Sequence, residues 1–144
     1  MRYNKFLFFI CTFCLVLNAF AQQKHQHNIL FIAVDDLKPE LGCYGNSKIK
    51  TPNIDRLASL GTVFEKNYCQ QAVCGPSRAS LMTGLRPDIT KVWDLKTKMR
   101  EANPNIITLP QYLKSKGYFT VGVGKIYHPA CADKKSDELS WSIP

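Results

Sequence analysis

The sequence predicts an α/β fold, the N-terminal part of a mostly parallel sheet flanked by helices, on three observations. The run Ile29-Leu30-Phe31-Ile32-Ala33-Val34 is continuously apolar and rich in branched residues, the pattern of a strand buried on both faces. A second run, Tyr118-Phe119-Thr120-Val121-Gly122-Val123, has the same character. Between them lie helical patterns closed by glycines, and strand and helix alternating in this way favour a parallel sheet over a sandwich or a bundle.

Taken in order, the chain opens with a basic start, Met1-Arg2-Tyr3-Asn4-Lys5, and an uncharged apolar stretch from Phe6 that closes on Ala19-Phe20-Ala21. This reads as a secretory signal peptide over residues 1–21, too short for a stable membrane span, and it takes Cys11 and Cys14 with it. The first strand ends abruptly at Asp35-Asp36. A loop with Pro39, Gly42 and Gly45 leads to Thr51-Pro52, where Thr51 can cap a helix that starts at Pro52, turns Ile54, Leu57, Ala58 and Leu60 inward and stops at Gly61. Thr62 to Tyr68 reads as a short extended segment. A helix over Arg78 to Thr83 follows the Gly75-Pro76-Ser77 punctuation and ends at Gly84, and a further helix after Thr108, with Leu109 and Leu113 inward, ends at Gly117. The final residues, Ser140-Trp141-Ser142-Ile143-Pro144, carry neither a cap nor a polar tail, so residues 22–144 read as an interrupted domain of about 120 residues, near the usual ~100–150 of a complete one.

The formal net charge is +8, but Lys and Arg are scattered among acidic residues rather than gathered with aromatics, so nucleic acid is not an expected partner. A mildly basic surface suits an anionic substrate. Cys43, Cys69, Cys74 and Cys131 remain after the signal segment, and spacing alone does not pair them.

Three places carry chemistry. In Cys74-Gly75-Pro76-Ser77-Arg78-Ala79-Ser80-Leu81-Met82-Thr83-Gly84, the cysteine stands before a helix start, beside free backbone N–H groups and the positive helix end, where an anion is favoured. Arg78, one turn on, can offer a two-pronged donor to an oxyanion. Without these neighbours Cys74 would read as a buried thiol or half of a disulfide, and Arg78 as a solvated charge. Second, Asp35 and Asp36 leave the carboxyl end of the first strand, the usual ligand edge of an open sheet, and two adjacent carboxylates there need donors or a hard cation such as calcium or magnesium. Asp is also a common turn residue. Third, Lys125 and His128 in Gly124-Lys125-Ile126-Tyr127-His128-Pro129 emerge at that same edge, where a surface lysine and a turn histidine are the plain alternatives.

The segment from Cys74 resembles the signature of the formylglycine-dependent sulfatase family, in which cysteine, any residue, proline, serine and arginine precede a leucine, threonine and glycine at fixed distance. Cys74, Pro76, Ser77, Arg78, Thr83 and Gly84 match, and Met82 replaces the common leucine. The resemblance runs from Asn28 to about Ala130. Gln70-Gln71-Ala72-Val73-Cys74, Arg86-Pro87, Leu109-Pro110-Gln111-Tyr112 and Gly124 to Pro129 are similar to the iduronate-2-sulfatase branch and its bacterial relatives.

The resemblance implies an alkaline-phosphatase-like sulfatase fold and a sulfuric ester hydrolase acting on uronic acid residues of sulfated polysaccharides. It implies that Cys74 is oxidised to formylglycine by a formylglycine-generating or anaerobic sulfatase-maturating enzyme, and that Asp35, Asp36 and residue 74 bind Ca2+. Arg78 and Lys125 would then stabilise the sulfate, with His128 assisting proton transfer, in a periplasmic or extracellular enzyme. Further ligands in such enzymes come from later in the sheet, so residues 1–144 alone are expected to be inactive. A phosphoester or phosphonate hydrolase of the same superfamily, or an inactive sulfatase-derived glycan-binding fragment, is the alternative.

Overall fold

A computed structural model describes residues 26–132 and 136–143. The signal-peptide expectation for residues 1–21 lies outside the described residues. The chain divides into two compact units, Met1–Ile32 and Ala33–Pro144. In the first, residues 26–32 carry no regular secondary structure, and Leu30 is 84% exposed.

The second unit is built from short helices joined by ordered loops. They are α1 (Pro52–Leu60), α2 (Cys74–Thr83), α3 (Pro87–Thr90), α4 (Met99–Ala102) and α5 (Leu109–Ser115), with 3-10 turns at Gly42–Tyr44 and Glu138–Ser140. Local chemistry sets most boundaries. Pro52, Pro87 and Pro110 sit in first turns, where the missing N–H is not needed. Gly84 ends α2 at φ 69°, a left-handed conformation that a side chain would strain. The Thr108 hydroxyl accepts from Gln111 N–H at 3.3 Å and so caps α5.

Four expectations are corrected here. Helix α2 begins at Cys74 rather than near Arg78, because Pro76 falls within the first turn, where proline is tolerated. Thr51 precedes α1 but does not cap it with its side chain; its hydroxyl accepts from Gly42 N–H at 2.9 Å and donates to Asp55 at 3.0 Å, tying the 3-10 turn to the helix. Ile54, Leu57 and Leu60 are exposed rather than inward, since the Gly42–Tyr44 turn is the element against which α1 packs. Leu109 is exposed as well, and Leu113 half-buried.

No strand occurs among the described residues, so the expected parallel sheet is not seen there. A strand has no internal hydrogen bonds and forms only against a neighbour, and among the described residues neither apolar run is paired in a ladder. Ile29, Ile32, Val34, Phe119 and Val123 are exposed accordingly. The second run is fastened instead to the chain's last described segment. Ser142 N–H donates to Thr120 O at 2.8 Å, Thr120 N–H to the Ser142 hydroxyl at 3.0 Å, and the Thr120 hydroxyl to Ser140 O at 2.8 Å.

The core lies where α2, α4 and the segments around Tyr127 and Trp141 meet, with Met82, Val92 and Met99 wholly enclosed. Tyr127 meets Trp141 edge to face at 6.1 Å. Beside this core runs a buried polar cluster. Arg100 donates to both oxygens of Asp137, at 2.5 and 2.9 Å, and also to Ile106 O and Gln111. Ser140 joins it, donating to Asp137 at 2.5 Å and sharing hydrogen bonds with the hydroxyls of Thr108 at 2.6 Å and Tyr127 at 2.8 Å.

Candidate anion-binding and catalytic site

Helix α2 sets the candidate site. Cys74 is its first residue and half-buried, and Arg78 lies one turn later on the same face. Gly75 makes the close packing behind Cys74 feasible: a Cβ there would stand 2.8 Å from Asp94 O and 2.9 Å from the Cys131 sulfur. Cys131 is buried, and desolvation first, then Asp94 and Cys74, pushes its thiol up. The four described cysteines are all free thiols.

Arg78 is the organising side chain. Its side chain is 8% exposed, and one guanidinium nitrogen donates to Asp35 at 2.9 Å while another donates to the carbonyls of Lys125 and, at 3.0 Å, Ile126. Lys125 completes the group by donating to the second Asp35 oxygen at 2.5 Å. Two cations thus flank one carboxylate. The hydrogen bond from Lys125, followed by that from Arg78, holds the Asp35 carboxyl below its usual range. The same bond to Asp35 raises the Lys125 ammonium above the usual lysine range against partial desolvation, with a smaller contribution from Cys74. Because the Asp35 carboxyl is lowered in the fold, the pairing stabilises above the ordinary carboxyl range and is lost as pH falls through the lowered value.

The structure therefore brings Asp35, Arg78 and Lys125 into direct contact, with Cys74 on the same helix as Arg78. The remaining expected residues are nearby in sequence but do not join this contact. Asp36 takes a left-handed conformation at φ 51°, which turns the chain immediately after Asp35. His128 is half-buried, and its Nδ1 is buried without a hydrogen-bond partner among the described residues. Its carbonyl accepts from the N–H groups of Cys131 and Ala132.

This arrangement carries one positive charge in excess beside the N-terminus of a ten-residue helix, a combination suited to a tetrahedral oxyanion. It fits calcium less well. The hard carboxylate oxygens of Asp35 and Asp36 are the right kind of donor, but Asp35 is already neutralised by two cations, and no group of three or more His, Cys, Asp or Glu among the described residues is arranged to hold a metal. A cation that takes ~6–8 oxygens is not satisfied by this set.

Arg78→Lys keeps the charge and loses the fork that spans Asp35 and two carbonyls. It is expected to lower stability by about 1–2 kcal/mol in urea unfolding with an unchanged slope, as two part-buried hydrogen bonds to carbonyls are lost. Equal midpoints for variant and parent would show that the fork contributes nothing. Sequence reading singled out Arg78, Asp35 and Lys125, but missed the structural partners of the last: the carbonyls Arg78 grips, and Tyr127, Ser140 and the Arg100–Asp137 pair behind them.

Comparison with known proteins places these residues in context. The family model described as Sulfatase matches residues 27–135. Iduronate 2-sulfatase of Mus musculus is 45% identical over 148 aligned residues, which cover 99% of this chain and 27% of that protein. Iduronate 2-sulfatase of Homo sapiens is 48% identical over 119 residues, covering 81% of this chain and 22% of the relative. A sulfatase of Formosa agariphila is 45% identical over 118 residues, covering 77% and 23%. The chain thus spans about a quarter of the length of these curated relatives.

Proposed function

Because this chain belongs to the sulfatase family, we propose that it contributes the nucleophile-bearing, N-terminal portion of a sulfuric ester hydrolase that removes sulfate from uronic acid residues of sulfated polysaccharides. Residues 22–144 are this portion of the catalytic domain, exported behind a signal peptide to the periplasm or exterior. No helix among the described residues is long and apolar enough to cross a membrane.

The observation that carries the reading is the contact of Arg78 and Lys125 around Asp35 at the start of the helix that Cys74 opens. Converted to an aldehyde by a maturation enzyme, residue 74 would supply a hydrated carbonyl oxygen as the attacking group on sulfur. Arg78, held rigid by three acceptors, presents its remaining donor capacity to the equatorial oxygens of the sulfate. Lys125 shares its ammonium between Asp35 and the anion, and the mobility of its stem lets it follow charge as that develops toward the leaving alcohol. His128, whose buried Nδ1 has no hydrogen-bond partner among the described residues, would assist proton transfer through its imidazole. Calcium on Asp35, Asp36 and residue 74 requires further oxygen ligands and a loosened Asp35, so no step is drawn through it.

The test is release of sulfate from a 2-sulfated uronic acid disaccharide and from an aryl sulfate by the whole polypeptide, produced together with a maturation enzyme. Turnover of both, well above that of the matching aryl phosphate, is expected. Preference for aryl phosphate would move the site to phosphoester or phosphonate hydrolysis. Glycan affinity with an unmodified Cys74 thiol and no turnover would leave a sulfatase-derived binding protein. Residues 22–144 alone are expected to release no sulfate.

A further inference from the structure

The segment that presents Lys125 and His128 has no helix or strand of its own to hold it. Besides the Thr120–Ser142 hydrogen bonds and the Lys125–Asp35 pair, its order comes from three attachments. Arg78 grips the carbonyls of Lys125 and Ile126 from α2. Trp141 closes on Gly122, where an added Cβ would stand 2.7 Å from the indole ring. Between these, the Tyr127 hydroxyl lies 2.8 Å from the hydroxyl of Ser140, and the Thr120 hydroxyl donates to Ser140 O. Ser140 is therefore attached to both ends of the segment.

Ser140 is itself fixed. Its side chain is fully enclosed, and it meets Asp137 and Thr108 as well as Tyr127. Asp137 is clamped by Arg100, and Thr108 caps α5. A hydroxyl with three oxygen neighbours in a dry site has few orientations left, so it transmits the geometry of the buried pair to Tyr127. Tyr127 stands directly between Ile126, whose carbonyl Arg78 holds, and His128.

We propose that Ser140, seated on the buried Arg100–Asp137 pair, is a positioning residue that fixes the 120–128 segment so that Lys125 and His128 stand at the site. It touches neither Asp35 nor Cys74 and acts through Tyr127 and Thr120. The inference rests on the reading of Lys125 and His128 as site residues, but its test does not depend on turnover.

The experiment is covalent footprinting of the whole polypeptide, with an N-hydroxysuccinimide acetate for lysines and diethyl pyrocarbonate for histidines, read residue by residue in a mass spectrometer with Lys48 as internal reference. Ser140→Ala is expected to raise the acetylation rate of Lys125 at least about threefold, because the ammonium leaves Asp35 more often once its segment loosens. His128 becomes reactive in step. Tyr127→Phe breaks the same link from the other side and raises both rates by a smaller factor, with the core left filled. Val92→Ala, which removes enclosed core volume and no hydrogen-bonding side chain, lowers thermal stability and leaves the Lys125 rate unchanged. Unchanged labelling in both Ser140→Ala and Tyr127→Phe, or an equal rise in Val92→Ala, overturns the proposal. Labelling that changes as expected in a protein that releases no sulfate would sustain the positioning role while removing the assigned reaction.

Discussion

Replacing Cys74 with alanine is expected to abolish sulfate release by the whole polypeptide, by at least roughly a thousandfold, while leaving its unfolding midpoint nearly unchanged. The two halves of this expectation come from different parts of the structure. Cys74 opens α2 and is only half-buried, and its thiol donates to and accepts from no other residue in the described contacts, so losing one sulfur removes little packing. Chemically, however, the donors nearest to it, Arg78 and Lys125, are cations that bind an anion and do not attack it. The variant should retain affinity for the sulfated substrate and lose labelling by an aldehyde-reactive hydrazide at residue 74. Sulfate release within tenfold of the parent would remove residue 74 from the mechanism altogether.

The features that the sequence announces correctly are those set within a few residues. Pro52, Gly61, Gly84, Thr108 and Gly117 act on their own turn of chain, and the helices they delimit stand where their spacing places them. Short α3 and α4 carry no periodic pattern over so few residues and are not visible beforehand. The sheet is a different kind of expectation. Ile29 to Val34 and Tyr118 to Val123 have the composition of buried strands, but composition sets only the propensity; a ladder needs partners that lie elsewhere in the chain's contacts. The inward face of α1 fails for the same reason, since an apolar stripe is buried only where another element covers it.

Within the site, the split is similar. Arg78 and Cys74 are one turn apart on one helix, so their relation is readable from spacing. Asp35 and Lys125 are far from it in sequence, and both meet Arg78 or its partner without any strand among the described residues. The turn at Asp36, with its positive φ, and the grip of Arg78 on two carbonyls do that work instead. Nothing local in Arg100, Asp137 or Ser140 reveals their buried cluster. Arg100 reads as one of many scattered cations, and its acceptors sit at Ile106, Gln111 and Asp137.

That cluster is where stability is most exposed to a single change. Asp137→Ala is expected to cost about 3–5 kcal/mol, because it removes the carboxylate that accepts two hydrogen bonds from the buried Arg100 guanidinium. The Asp137 side chain is fully enclosed and that of Arg100 is 9% exposed, so water does not readily replace the lost carboxylate. Arg100 keeps its hydrogen bonds to Ile106 O and Gln111, both neutral acceptors. Ser140 and, through it, Tyr127 lose their anchor in the same step. Backbone conformation adds to the cost: Asp137 sits at φ 60°, where aspartate and asparagine are tolerated better than alanine. Asp137→Asn keeps the shape, the left-handed turn and an acceptor for Arg100, and its loss should be distinctly smaller. With a whole domain holding only ~5–15 kcal/mol, the alanine variant should be largely unfolded at modest urea concentrations where the asparagine variant is still native. If the two variants unfold at the same midpoint as the parent, the buried pair contributes no net stability, and the ordering of the Lys125 segment must come from its contacts with Arg78, Trp141, Ser142 and Asp35.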